Sequence, residues 1–298
     1  MPLALCYNKL MESARVKSFA KLNLTLRVTG VKDGYHMLDS LVTSVDLYDA
    51  ITVKKRRDKL VSVSMRGCGS ESIPFDKNNA VKAAELFIER YGVCGADITV
   101  YKNIPMGSGL GGSSADSAGV INALSKLHKI NDPVGMKIIA DLTGSDTRYM
   151  LDGGYARLYG RGNEVERLQS GLKLNFLLLV PDGGVSSGKC FEKFDLSGGL
   201  GGDSDGACAA LSAGDKRALC KNMNIALAPA AKSLSPDIGV AFGELLSFDP
   251  LAVNMTGSGS GVYAVFENAE YCAYAKSRYR GKFKTYCLKT VFPTEVIR

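Results

Sequence analysis

The chain has only two histidines in 298 residues, and none of its eight cysteines stands close enough to another to form a Cys-x-x-Cys pair. A structural zinc site needs such ligands at close spacing, so none is expected. The cysteines, at 6, 68, 94, 190, 208, 220, 272 and 287, are scattered as in a protein of a reducing compartment. No apolar run approaches the roughly 18 residues that span a bilayer. The opening "MPLALCYNKLMESARV" has too short an apolar stretch for a signal peptide. A dense basic stripe with interleaved aromatics is also missing. The net charge of +7 is spread out, and Lys54-Lys55-Arg56-Arg57 reads as a solvated strand end. What remains is a cytoplasmic globular protein with no nucleic-acid or membrane partner, large enough for one big domain or two ordinary ones.

The pattern that is present begins with strict alternation from Val16 to Val28, which predicts one half-buried strand. Lys21 and Asn23 then share the face opposite the apolar one. Asp33-Gly34-Tyr35-His36 reads as a turn, followed by strands at Leu41–Leu47, Ile51–Lys55 and Val61–Met65. Helices are expected from Asn79 to Tyr91, stopped by Gly92, and from a cap at Ser113 or Ser114 to His128. A third starts at Asp132-Pro133 and closes at Gly144. Farther on come an apolar strand at Leu174–Val180, a polar loop at 197–207, and helices at Asp215–Leu227 and Ile238–Phe248. A second glycine loop, Asn254 to Gly261, precedes the strand Val262–Phe266. Strands precede helices in each half, so the reading is α+β, with lobes at 1–165 and 166–298.

Glycine loops invite three phosphate readings. "IPMGSGLGGSSADSAG", Ile104 to Gly119, contains a Gly-x-Gly-x-x-Gly spacing. The dinucleotide fingerprint, however, belongs in a first strand–loop–helix unit with an acidic residue some 20 positions on, and that context is missing. Gly183 to Lys189 matches the P-loop spacing, but Cys190 stands where a Mg²⁺-binding hydroxyl is required. That segment is expected to be a surface loop. The third reading is a separate phosphate cradle at 107–114, with backbone N–H groups and a helix N-terminus facing one anion.

"PMGSGLGGSSADSAG" resembles the phosphate motif of the GHMP kinases, which include galactokinase, homoserine kinase and mevalonate kinase. "SFAKLNLTLRVTG" and "MTGSGSGVYAVF" resemble that family's N-terminal motif and C-terminal glycine loop, in the same order. "AKLNLTLRVTGVKDGYHMLDSL", with "NNAVKAAELF" and "LTGSDTRYML", is similar to the members acting on a cytidine-diphospho alcohol. The resemblance implies an N-terminal lobe like ribosomal protein S5 domain 2 and a ferredoxin-like C-terminal lobe. It implies transfer of phosphate from ATP, with Mg²⁺, to a hydroxyl of a cytidine-diphospho-methylerythritol in non-mevalonate isoprenoid synthesis. Asp146 would be the general base and Lys21 its charge partner. Pro105, Gly107, Gly109, Leu110, Gly111, Gly112, Ser113 and Ser114 would hold ATP. Asn23, Tyr35, His36, Asp146, Phe191, Gly257 and Ser258 would hold the substrate, with cytosine between the aromatic rings; Gly259 would help close the site. Metal ligands stay unnamed beyond Ser114, and the chain would act as a monomer or homodimer. Three departures stand out: Thr147-Arg148 for Val-Pro, Ser113 for a glycine, and a longer N-terminus. Another family kinase, for homoserine or mevalonate, and an inactive ligand sensor stay open as alternatives.

Overall fold

The computed structural model describes residues 12–292; the N-terminal stretch weighed above as a signal peptide lies outside them up to residue 11. The first sheet is built around one long strand, β3 (Tyr35–Lys55), which changes neighbours along its length. β1 (Ser13–Asn23) and β2 (Thr25–Lys32) pair with it antiparallel. The expected single strand is therefore two, parted at Leu24, whose N–H donates to the Leu41 carbonyl at 2.7 Å. β4 (Val61–Arg66) and β5 (Ala96–Tyr101) extend the sheet on the side of β3's C-terminal end. β6 (Ala156–Gly160) and β7 (Glu164–Arg167) form a hairpin against its N-terminal end.

Helices α1 (Asn79–Tyr91), α2 (Gly112–His128), α3 (Pro133–Thr143) and the single turn α4 (Thr147–Met150) cover this sheet. α2 lies hard against β1 and β3 because its inner residues are small. A Cβ at Gly119 would come 2.1 Å from Ile51 Cδ1. The buried Phe87 of α1 fills the same core, a burial worth about 1.5–3 kcal/mol.

β8 (Asn175–Val180) centres the second sheet, all antiparallel, in the order β10-β11-β8-β12. Its other strands are β10 (Ala252–Met255), β11 (Val262–Phe266) and β12 (Lys284–Lys289). One face, with Phe176, Leu178, Tyr263 and Val265, joins the first core. The other, with Leu177, Leu179, Val262 and Ala264, packs under helices. That double burial explains why β8 reads as uniformly apolar. The helices over that face are α5 (Ser187–Ser197), α8 (Ala228–Leu234), α9 (Pro236–Leu246) and α10 (Ala269–Arg278), whereas α6 (Ser204–Ala213) and α7 (Lys216–Asn222) join the first core.

Two expectations change here. The loop at 197–207 is shorter, because Asp203 caps α6 by accepting from Gly206 N at 3.0 Å. The helix expected over 215–227 ends at Asn222, and Asn224–Ile225, β9, pairs parallel with β2. Among the described residues no helix is long and apolar enough to cross a membrane.

Candidate active site

The first glycine loop runs from β5 into α2, and the second, between β10 and β11, is laid against it. Gly107, Gly109 and Gly111 have φ of 65°, 75° and 75°, which side chains other than glycine's rarely adopt. The Gly107 carbonyl accepts from Ser260 N at 3.2 Å, Ser108 from Gly261 N at 3.0 Å, and Gly109 from Thr256 Oγ1 at 3.2 Å. Leu110 accepts from Lys21 N at 3.1 Å. With its carbonyls turned to protein, the loop has its N–H groups left for the other side. There lies a cavity of about 380 Å³ lined by every residue from Ile104 to Ser114.

Neither Ser113 nor Ser114 caps α2, as the sequence suggested. Gly111 is the N-cap in a left-handed conformation, and no side chain satisfies the first turn. The uncapped N–H groups and the helix dipole therefore point at the cavity, as an anion site requires. Ser113 Oγ instead accepts from Asn79 Nδ2 at 2.8 Å, tying the loop to α1. The P-loop lookalike is no free surface loop. Gly184 packs on Gly107, Ser187 reaches the cavity, and Ser187 Oγ is hydrogen-bonded to Ser258 Oγ at 2.9 Å.

Beneath the loop sits a buried trio that sequence reasoning missed. Lys102 Nζ donates to Asp116 Oδ2 at 2.7 Å, to the Gly112 carbonyl at 3.3 Å, and to Asp49. Asp49 Oδ1 also accepts from Asn103 N and Ile104 N, at 2.6 and 2.9 Å. Burial pushes the Asp116 carboxyl well above the usual carboxylate range, against the pull of Lys102 and with the help of Asp49. Burial alone would lower Lys102, but the two carboxylates carry it upward. Asp116 Oδ1 is buried without a protein partner, on the cavity wall. The only hint in the sequence was position: Lys102 just before the loop and Asp116 just after it.

Lys21 and Asn23 share a face, as alternation demanded, but that face is buried, at 4% and 5% exposure. Lys21 Nζ lies 3.6 Å from Asp146 Oδ2 and donates to Asn23 Oδ1. Asp146 precedes α4 at its N-cap position yet makes no capping bond, so its carboxylate stays available, 29% exposed. Asn23 links β1 to the second glycine loop and to β11. Its Oδ1 also accepts from Gly257 N at 3.0 Å, its Nδ2 donates to Ser40 Oγ at 2.8 Å, and its carbonyl accepts from Tyr263 OH at 2.7 Å. The amide expected to face substrate is thus engaged by protein. The departure at 147–148 leaves Asp146 in place: Thr147 is buried, and Arg148 turns away to Asp141 at 3.0 Å.

Tyr35 and His36 begin strand β3 and do not sit in the turn. His36 stacks on Phe191, with ring centroids 4.5 Å apart and 20° between planes, and its Nε2 is 2.7 Å from Asp195 Oδ1. Tyr35 is 51% exposed, and the Arg161 guanidinium lies 3.6 Å from its ring centroid. His36 and Phe191 thus meet between β3 and α5, with the Phe191 ring already covered by His36, while Tyr35, the residue before His36 on the strand, rests on Arg161 of the β6–β7 turn. Asp195 and Arg161 are further residues that sequence reasoning did not select.

This constellation is an uncapped helix over a glycine loop, a second glycine loop locked to it, and a Lys–Asp pair with a buried lysine and an accessible carboxylate at their seam. Residues 78–149 match the GHMP kinases N terminal domain and residues 190–279 the GHMP kinases C terminal domain. The α+β arrangement is that fold, and the chain belongs to the GHMP kinases, a class of small-molecule kinases that use ATP. It is 34% identical to the 4-diphosphocytidyl-2-C-methyl-D-erythritol kinase of Caldicellulosiruptor saccharolyticus, over 94% of this chain and 97% of that protein. A crystal structure of 4-(cytidine 5'-diphospho)-2C-methyl-D-erythritol kinase superposes with a TM-score of 0.77 at 25% identity, covering 92% of this chain and 98% of the other. Homoserine kinase from Cytophaga hutchinsonii shares the fold, with a TM-score of 0.72 at 17% identity over 97% of each chain. Within the class, the chain falls in the family of 4-diphosphocytidyl-2-C-methyl-D-erythritol kinases.

Proposed function

We propose that the chain transfers the γ-phosphoryl group of ATP to the 2-hydroxyl of 4-diphosphocytidyl-2-C-methyl-D-erythritol, a step of isoprenoid precursor synthesis. The observation that carries the reading is the Lys21–Asp146 pair, 3.6 Å apart where the two glycine loops meet. Phosphoryl transfer asks chiefly for positioning and charge neutralisation. In this reading Asp146 Oδ2 takes the hydroxyl proton, and Lys21 Nζ beside it offsets charge on the group in transit. The amides at the start of α2 bind the nucleotide phosphates, and Asn23 holds Lys21 and the second loop in register. Tyr35, His36 and Phe191 form the base end, and Gly257, against Lys21, Asn23 and Gly109, and Ser258, against Ser187, close the cleft. Homoserine and mevalonate carry no ring to occupy such an end.

Mg²⁺ accompanying ATP would neutralise phosphate charge. The unpartnered Asp116 Oδ1 on the cavity wall fits such a hard cation, and Ser113 and Ser114 hydroxyls line the same wall. Among the described residues no cluster of three or more His, Cys, Asp or Glu stands ready for a metal, so the ion would rely on the nucleotide as well. Both loops, Lys21 and Asp146 come from one chain, which suits a protein active without a second copy. Seven free thiols among the described residues suit the cytoplasm.

The test is ATP turnover against the cytidine-diphospho alcohol, homoserine and mevalonate. Turnover of the first alone is expected, and phosphorylation of homoserine or mevalonate in its place rejects the assignment.

A further inference from the structure

We propose that Arg161 is a specificity-determining residue that grips the diphosphate of the substrate; the inference rests on the function proposed above. A cytidine-diphospho alcohol has its base at one end, the reacting hydroxyl at the other, and an anionic bridge between them. One structural element touches both ends of the cleft, the turn between β6 and β7. Gly160 and Gly162, at φ of 61° and 92°, fold this turn, and Arg161 N–H donates to Asn163 Oδ1 at 3.2 Å. Gly162 faces Asp146, at the end of the reacting hydroxyl: a Cβ there would lie 3.9 Å from Asp146 Oδ1. Arg161 reaches the other way, its guanidinium 3.6 Å from the centroid of Tyr35.

The charge of Arg161 has no acidic partner among the described residues. Its neighbours in the same hairpin differ. Arg157 binds Asp39 and Asp205 at 2.8 and 2.7 Å, and Arg167 binds Asp152 at 2.9 Å. The guanidinium is a planar fork that matches two phosphate oxygens. The Tyr35 ring supports its central carbon, and the turn anchors Arg161 one residue from Gly162, which faces Asp146. A diphosphate spanning base and hydroxyl passes Arg161.

The experiment compares cytidine and CDP as ligands of the wild type, Arg161→Ala and Arg161→Lys, read as dissociation constants with ATP affinity as control. For Arg161→Ala, a loss of about 10-fold or more is expected for CDP, with cytidine and ATP nearly unchanged. Arg161→Lys should recover part of the CDP loss, and a steeper salt dependence of CDP binding should mark the wild type. An equal loss for cytidine and CDP overturns the proposal, because Arg161 would then only support the Tyr35 ring. No loss for either also overturns it. If the wild type binds neither cytidine nor CDP, the cytidyl reading itself fails, whatever the variants do.

Discussion

The two ends of the cleft are built from different materials. The end proposed for the nucleotide is backbone: three left-handed glycines, an uncapped helix, and carbonyls locked onto a second loop. The end proposed for the substrate is side chains: Tyr35, His36 and Phe191, contributed by a strand and by a helix far away in sequence. A backbone cradle serves any phosphate and depends on where side chains are absent. A base-recognising end depends on which side chains are present and on partners such as Asp195 that hold them. Generality and selectivity are thereby separated in space, and Asp146 stands at the seam.

The seam is where the largest effect is expected. Asp146→Asn keeps size and hydrogen bonding but cannot accept the proton, so kcat should fall by roughly 10²–10⁴-fold. ATP affinity should hold, since the loop's amides do not involve Asp146. Wild-type turnover in this variant would remove the base from the mechanism and leave positioning as its whole basis.

Next comes the nucleotide end. A Cβ at Gly109 would sit 2.1 Å from the Thr256 carbonyl oxygen, at a φ of 75°. Gly109→Ala should therefore push the two loops apart, raising the KM for ATP and lowering Tm together. Gly183 has a comparable φ of 86° but nothing within 4 Å of the added atom. Gly183→Ala isolates the backbone strain, of order 1–3 kcal/mol, without the clash. If both variants lose equal nucleotide affinity, the locked loops are not what shapes the cradle.

The same contrast explains what could be read in advance. Glycine spacing at 107–112, the shared face of Lys21 and Asn23, and the order of motifs are local properties, and local rules expose them. Their environment is not local. Lys21 and Asn23 look solvated in the strand pattern, but both glycine loops, the second arriving from beyond residue 250, close over them. Ser113 looks like a helix cap until Asn79 of α1 engages it. Asp49 and Asp116 meet across Lys102 only because α2 packs down on β3. Helix ends in the second half shifted for a similar reason: Asn224–Ile225 find a strand partner in β2, and tertiary pairing overrides helical propensity.

The smallest effect belongs to the aromatic end, and it is the most selective. Aromatic pairs contribute about 0.5–1.5 kcal/mol beyond area burial, so Phe191→Ala should raise the KM for the cytidyl substrate by roughly 2- to 13-fold. The KM for ATP should not move, because Phe191 does not line the cavity under the glycine loop. His36 now lies across the Phe191 ring, 4.5 Å between centroids, and the base must either share that stack or displace the imidazole. Sharing predicts that His36→Ala weakens binding alongside Phe191→Ala; displacement predicts that His36→Ala strengthens it by freeing the ring. A change in the KM for ATP in either variant would mean that the two ends communicate, and the division between backbone and side-chain recognition would fail.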